Sequence, residues 1–321
     1  MKLVSYVHNG AERSGVVEGE MIRPLPYGVR VLDLLEQDAL AAAERDLSRP
    51  VLELPVLLAD VRLLPPLLPP SVRDFVTFEQ HVEGIAQRFG GRIAPEWFGA
   101  PTFYFTNPHA MIGAHDDVPV PPGCRVLDYE LEVAAVIGRA GRDLTPAQAR
   151  DHIVGYTIFN DWSARDLQAR EMAVQLGPAK GKDSATTLGP FLVTADELEP
   201  YRNGEGLLDL EMTVRVNGIE TGRDTLANMA WTFDEMVAYA SRGAWVRPGD
   251  VLGSGTCGSG CLAELWGRTG AEDPPPLKIG DVVTMAVAGL GTVVNRVVPG
   301  ADPVPLPPAR ARHNARSYPS E

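Results

Sequence analysis

The chain has 321 residues, of which 45% are hydrophobic and 22% charged, with 32 glycines and 28 prolines. That length supports a substantial core in one or two domains, and a turn-rich composition without a strict period points to a mainly β, α+β fold and away from helix bundles and fibrous chains. The formal charge of −13 excludes a chain built to track phosphate backbones, so nucleic acid is not an expected partner.

Residues 2–7 (KLVSYV) and 14–17 (SGVV) read as strands flanking Asn9-Gly10, a type I′ turn signal. The first ten residues lack the apolar core of a secretion signal, and no apolar run is long enough to span a membrane. Cys124, Cys257 and Cys261 are too few for a disulfide framework. A soluble cytoplasmic protein without a membrane partner is the expectation. Residues 31–47 carry a helical apolar pattern. The paired prolines Pro65-Pro66 and Pro69-Pro70 then mark an extended connector. They place a boundary near residue 68, dividing a small N-terminal α+β domain (1–68) from a larger domain (69–298).

Strands dominate the larger part. They are expected at 102–105, 126–137, 153–159, 189–194, 208–216, 250–253, 282–288 and 291–297, with the clearest alternation in 208–216 (LDLEMTVRV). Helices start at Thr145-Pro146, with Gln148 at the third helical position, and at the capping box Thr232–Glu235. Residues 299–321 form a Pro-rich and then basic tail.

Several stretches carry chemistry. In Asp128-Tyr129-Glu130-Leu131-Glu132 the two-residue period of a strand puts Asp128, Glu130 and Glu132 on one face. Like charges so close repel, and burial forces protonation unless a cation intervenes. The face is therefore either solvated or holds a hard divalent cation, Mg2+, Mn2+ or Ca2+. Asn160-Asp161 ends an apolar run, so Asp161 either joins that site or forms a plain turn. Lys182, in the Gly-rich loop 177–189, either offsets an oxyanion or is solvated. Gly253-Ser254-Gly255-Thr256-Cys257-Gly258 matches GxGxxG, but no long helix is signalled after it, so a dinucleotide fold is rejected. Cys257 and Cys261 lack partners at zinc spacing. His81 becomes a candidate base if an acid orients it. It opens a polar segment, 79–99, whose glycines would permit a closing lid.

Together these segments resemble the fumarylacetoacetate hydrolase family over residues 70–297. The most specific piece is 160–168 (NDWSARDLQ), with 128–132 (DYELE) upstream at the family distance. The resemblance implies a mixed β-sandwich roll, a homodimer, and a Mg2+-type ion held by Glu130, Glu132 and Asp161. It implies that His81, seven residues after Asp74 of the Asp-Phe pair, is the catalytic histidine. Glu264, before Leu265-Trp266, would be its partner and Lys182 the catalytic lysine. Asp74, Tyr104, Gln168, Thr186 and Thr256 would face the substrate. Val76 and Met172 stand where fumarylacetoacetases carry tyrosine, and Arg88 is near the place of a substrate-gripping arginine. The implied activity is metal-dependent hydrolysis of a C–C bond in a small β-diketone or acylpyruvate-type keto acid, such as an aromatic ring-cleavage product. A 2-oxo acid decarboxylase, isomerase or hydratase, or a non-catalytic metal-stabilised binding protein, are the alternatives.

Overall fold

The structure is a computed structural model that describes residues 1–47, 54–88 and 90–310. Strands β1 (Lys2–His8), β2 (Ala11–Glu18) and β3 (Met21–Pro24) form an antiparallel meander. Asn9 and Gly10 take φ of 50° and 78° between β1 and β2, the left-handed pair that a type I′ turn requires. The helical pattern at 31–47 is split into α1 (Val31–Glu36) and α2 (Leu40–Leu47), because the chain turns at Asp38, φ 51°.

The larger part supplies β4 (Val72–Phe75), α3 (Glu79–Arg88), β5 (Phe103–Phe105), β6 (Leu131–Ile137), β7 (Ile153–Asp161), α4 (Arg165–Ala173) and β8 (Thr186–Thr194). It continues with β9 (Glu211–Val216), β10 (Ile219–Thr225), α5 (Phe233–Ala240), β11 (Val251–Gly253), α6 (Leu262–Thr269), β12 (Val282–Val287) and β13 (Gly291–Val298). The main sheet runs β3-β2-β1-β8-β7-β6-β11-β4-β5. Its pairs are antiparallel along that path except for β11 with β4. Leu3 of β1 sits opposite Leu192 of β8, so one sheet runs across the Pro-rich connector. A second sheet, β10-β9-β12-β13, packs beside it.

Strand β6 is buried on both faces. Leu131, Val133 and Ala135 join Met212, Val214 and Met285 of the second sheet in one cluster. Ala134 and Val136 turn the other way, toward Leu188, Leu192 and the α1 residues Val31, Leu34 and Leu35. A strand covered on both sides reads as a continuous apolar run, which is the pattern that follows Glu132.

The expected strand at 126–137 is broken. Leu127 and Asp128 pair instead with Ala164 and Ser163, and β6 begins only at Leu131. Two side chains cause the break. Asn160 Oδ1 accepts the Glu130 N–H at 2.9 Å, and the Asp128 carboxylate accepts the N–H groups of Leu262 and Ala263 at 2.9 and 3.0 Å. Asp128 is thus drawn to the first turn of α6, where a carboxylate offsets the positive helix end, and leaves the face shared by Glu130 and Glu132.

Among the described residues no helix is long and apolar enough to cross a membrane. Residues 299–310 are exposed without regular structure. The rest of the predicted tail, 311–321, lies outside the described residues.

Candidate functional site

The ends of β4, β6 and β7 meet at one place. Asp74 of β4 lies opposite Gly253 of β11, and a Cβ on Gly253 would come 2.8 Å from Asp74 Oδ1 and 3.0 Å from Glu132 Oε2. Glycine at 253 therefore leaves room for two carboxylates above the strand. The Glu132 carboxylate accepts the Gly255 N–H at 2.9 Å and the Thr256 hydroxyl at 3.4 Å. Glu130 accepts from Arg165 at 2.7 Å and from the Lys182 ammonium, and Lys182 also reaches Asp161 Oδ2 at 2.7 Å. The Tyr104 hydroxyl contacts Asp74 Oδ2 at 2.6 Å and also Asp161 Oδ2. Its single proton can serve only one of the two carboxylates at a time, and Lys182 also serves Asp161.

All four acids are buried. Burial, reinforced by the Asp161 charge, pushes Asp74 well above the usual carboxylate range. Burial with the Asp74 and Glu130 charges does the same to Glu132, and burial raises Asp161 despite the nearby Lys182 ammonium. Glu130 is the exception: burial raises it, but Lys182 and Arg165 together bring it down to about 2. Asp74, Glu130 and Glu132 present ligand oxygens within 4.8 Å of one another. Asp74 Oδ1 and Asp161 Oδ1 are buried without a hydrogen-bond partner, a costly state that a cation would relieve. The cationic side chains paired with this cluster are Lys182 and Arg165, and Arg165 is shared with Asp128 at 2.8 Å. An excess of buried carboxylates and an all-oxygen donor set fit a hard divalent ion.

The imidazole comes from α3 and its acid from α6. His81 Nδ1 is 3.3 Å from Glu264 Oε2, and Glu264 Oε1 is held by the Ser259 N–H at 2.9 Å and by Arg268. With Nδ1–H donating to Glu264, Nε2 keeps its lone pair. The two helices meet backbone to backbone. A Cβ on Gly267 would lie 1.9 Å from the Gly84 carbonyl oxygen, and one on Gly84 would lie 2.5 Å from Glu264 Cγ. Each glycine is one helical turn beyond its member of the pair, so this crossing sets the His81–Glu264 distance. Gly84 is thus a packing point and not a hinge. Gly267→Ala is expected to cost roughly 1–3 kcal/mol, read as a lower urea midpoint; an unchanged midpoint would show that the crossing has slack.

His81, Asp74, Glu130 and Glu132 open on one cavity of about 540 Å³. Asp74, Tyr104, Gln168, Lys182 and Thr256 line it, as do Val76, Ile85 and Met172. Gln168 accepts from Arg165 at 3.1 Å. Thr186, expected at the substrate, lies opposite Asp161 in the β7–β8 ladder, buried, and is not part of the lining. Asp74, expected to face substrate, lies within the acidic cluster. Arg165, which the sequence offered only as part of the run 160–168, reaches Asp128 and Glu130. Arg88 stacks on Trp266 at 4.5 Å near the apolar side of the cavity.

Residues 71–298 match the family described as Fumarylacetoacetate (FAA) hydrolase C-terminal. The chain is 30% identical over 305 residues to the fumarylacetoacetase of Arabidopsis thaliana, covering 75% of this chain and 72% of that protein. It is 32% identical over 200 residues to the human mitochondrial oxaloacetate tautomerase FAHD2A, covering 62% of this chain and 59% of that protein. A solved fumarylacetoacetate hydrolase from Exiguobacterium antarcticum superposes with a TM-score of 0.72 at 28% identity, over 93% of this chain and 99% of that one.

Proposed function

Because the chain belongs to the fumarylacetoacetate hydrolase family, whose similar members include a fumarylacetoacetase and an oxaloacetate tautomerase, we propose that it hydrolyses a C–C bond in an acylpyruvate-type keto acid. The observation that carries this reading is that His81, paired with Glu264 behind it, opens on the same cavity as Asp74, Glu130 and Glu132. A water nucleophile needs a base, and this pair supplies one beside the place where a 2-oxo acid would be held.

Asp74, Glu130, Glu132 and Asp161 would hold the ion, Mg2+ or Mn2+, which supplies Lewis acidity to adjacent substrate oxygens. His81 Nε2 takes a proton from water as the oxygen adds to the acyl carbon, and Glu264 offsets the imidazolium charge. The C–C bond then breaks, and its electron pair passes into the enolate of the leaving 2-oxo acid. Returning the His81 proton to that carbon yields a carboxylic acid and a 2-oxo acid. The Lys182 ammonium, fixed by Glu130 and Asp161, offsets negative charge growing on the substrate. Val76, Ile85 and Met172 favour an apolar acyl arm beyond the reacting carbons.

A second reading, tautomerisation of a 2-oxo acid, is favoured by the likeness to the human oxaloacetate tautomerase. It uses the same base on a substrate C–H. Incubation with acylpyruvates and oxaloacetate in Mn2+ separates the two: the hydrolase gives two fragments, whereas an unbroken carbon skeleton would reject hydrolysis in favour of tautomerisation.

A further inference from the structure

A second cluster of ligating atoms lies behind the imidazole, with a different chemistry. His81 Nδ1, Glu264 Oε2 and Cys261 Sγ lie within 4.8 Å of one another, and all three residues are buried. The Nδ1···Oε2 edge is 3.3 Å and the Nδ1···Sγ edge is 3.8 Å. A tetrahedral zinc site with ordinary bond lengths has N···O and N···S edges of roughly 3.3 and 3.6 Å. Cys261 is the N-cap of α6, and its sulfur accepts the Glu264 N–H at 3.4 Å, a contact that a thiolate keeps. His81 lines the cavity, which provides an access route for an ion. The sequence spacing of the cysteines gave no sign of this cluster, because its members come from α3 and from the start of α6.

We propose that Cys261, His81 and Glu264 form an inhibitory site for a borderline or soft divalent cation such as Zn2+ or Cd2+. A nitrogen, carboxylate and sulfur set selects such ions, whereas the all-oxygen cluster beside it selects hard ones. Binding expels the Cys261 thiol proton to solvent. It also displaces the His81 Nδ1 proton, which moves to Nε2. The imidazole then has no lone pair facing the cavity, so the base is switched off while the carboxylate cluster stays available to its own ion. The inhibitory consequence rests on the proposed role of His81; binding itself does not.

The test uses the whole protein in excess Mg2+, titrated with Cd2+ and followed by the thiolate-to-cadmium charge-transfer absorption. The band is expected to saturate at one Cd2+ per chain and to vanish in Cys261→Ser, whose hydroxyl still caps α6. It should persist in Cys124→Ser and Cys257→Ser. Calorimetric Cd2+ affinity should fall at least about tenfold in Cys261→Ser and in His81→Ala. Absence of the band in the wild type, or its survival in Cys261→Ser, would overturn the site. With a turnover assay, Zn2+ inhibition should be relieved in Cys261→Ser; inhibition of equal strength in both proteins would overturn the inhibitory role and leave the hydrolase reading standing.

Discussion

Replacing His81 with asparagine is expected to lower kcat by about 10²- to 10⁴-fold, the usual contribution of a positioned general base. The fold should survive, because Glu264 keeps the Ser259 N–H and Arg268 as partners and is not left as an orphaned buried charge. The affinity for Mn2+ should also persist, since His81 is not part of the acidic cluster. Kinetics, a thermal melt and calorimetry on the same preparation test all three points. Loss of Mn2+ binding together with activity would mean that His81 supports the cation site and is not the base. Glu264→Gln is a harsher change for the fold, because Arg268 and the imidazole both lose their anionic partner.

Removal of the divalent cation should have the next largest effect: loss of turnover and a pH-dependent loss of stability. Asp74, Glu132 and Asp161 have folded values raised above their unfolded ones. Their contribution to stability is therefore complete below the unfolded carboxylate range, and it is lost as pH rises through the raised folded values. Glu130, held at about 2, contributes in the opposite sense, and its share is lost only as pH falls toward that value. The cation-free protein should thus become less stable as pH rises from the carboxylate range toward neutrality. At a concentration about 100 times its Kd, the cation should add about 2.7 kcal/mol of stability. Binding should also release protons, because the acids must ionise to accept it. Calorimetry in two buffers of different ionisation enthalpy reads that release. No proton release, with a cation-free melting temperature indifferent to pH, would contradict the burial-raised cluster.

Several strands were legible because alternation and turn signals are local, whereas β3, β4 and β10 were not expected and the strand at 126–137 is broken. Asn9-Gly10 and the run 208–216, of which Glu211–Val216 forms β9, announce themselves without knowledge of the rest of the chain. Helix α6 was not legible, since its cap is the thiol of Cys261 and not a hydroxyl or carboxylate. Helix α3 begins with Glu79-Gln80-His81, a polar opening that resembles a loop. Glu130 and Glu132 stood out as alternating carboxylates ahead of an apolar run and Asp161 as one ending such a run; in the structure Glu130 and Glu132 cluster with Asp74, and Lys182 links Glu130 to Asp161. Asp74 could not be assigned to that group from the sequence. Its place depends on β4 pairing with β11, across a separation that no local pattern encodes. Asp128 shows the same limit: it was read with Glu130 and Glu132, its neighbours in sequence, and it is satisfied by Arg165 and by the Leu262 N–H, far along the chain.

In the proposed reaction, water activated at His81 attacks an acyl carbon while a 2-oxo acid leaves. Turnover of an acylpyruvate in 18O-labelled water with Mn2+, followed by mass spectrometry, tests it directly. One 18O atom is expected in the newly formed carboxylate of the acyl fragment, with that incorporation lost in His81→Asn. Turnover that leaves the carbon skeleton whole, or cleavage that places no solvent oxygen in the acyl fragment, would contradict it.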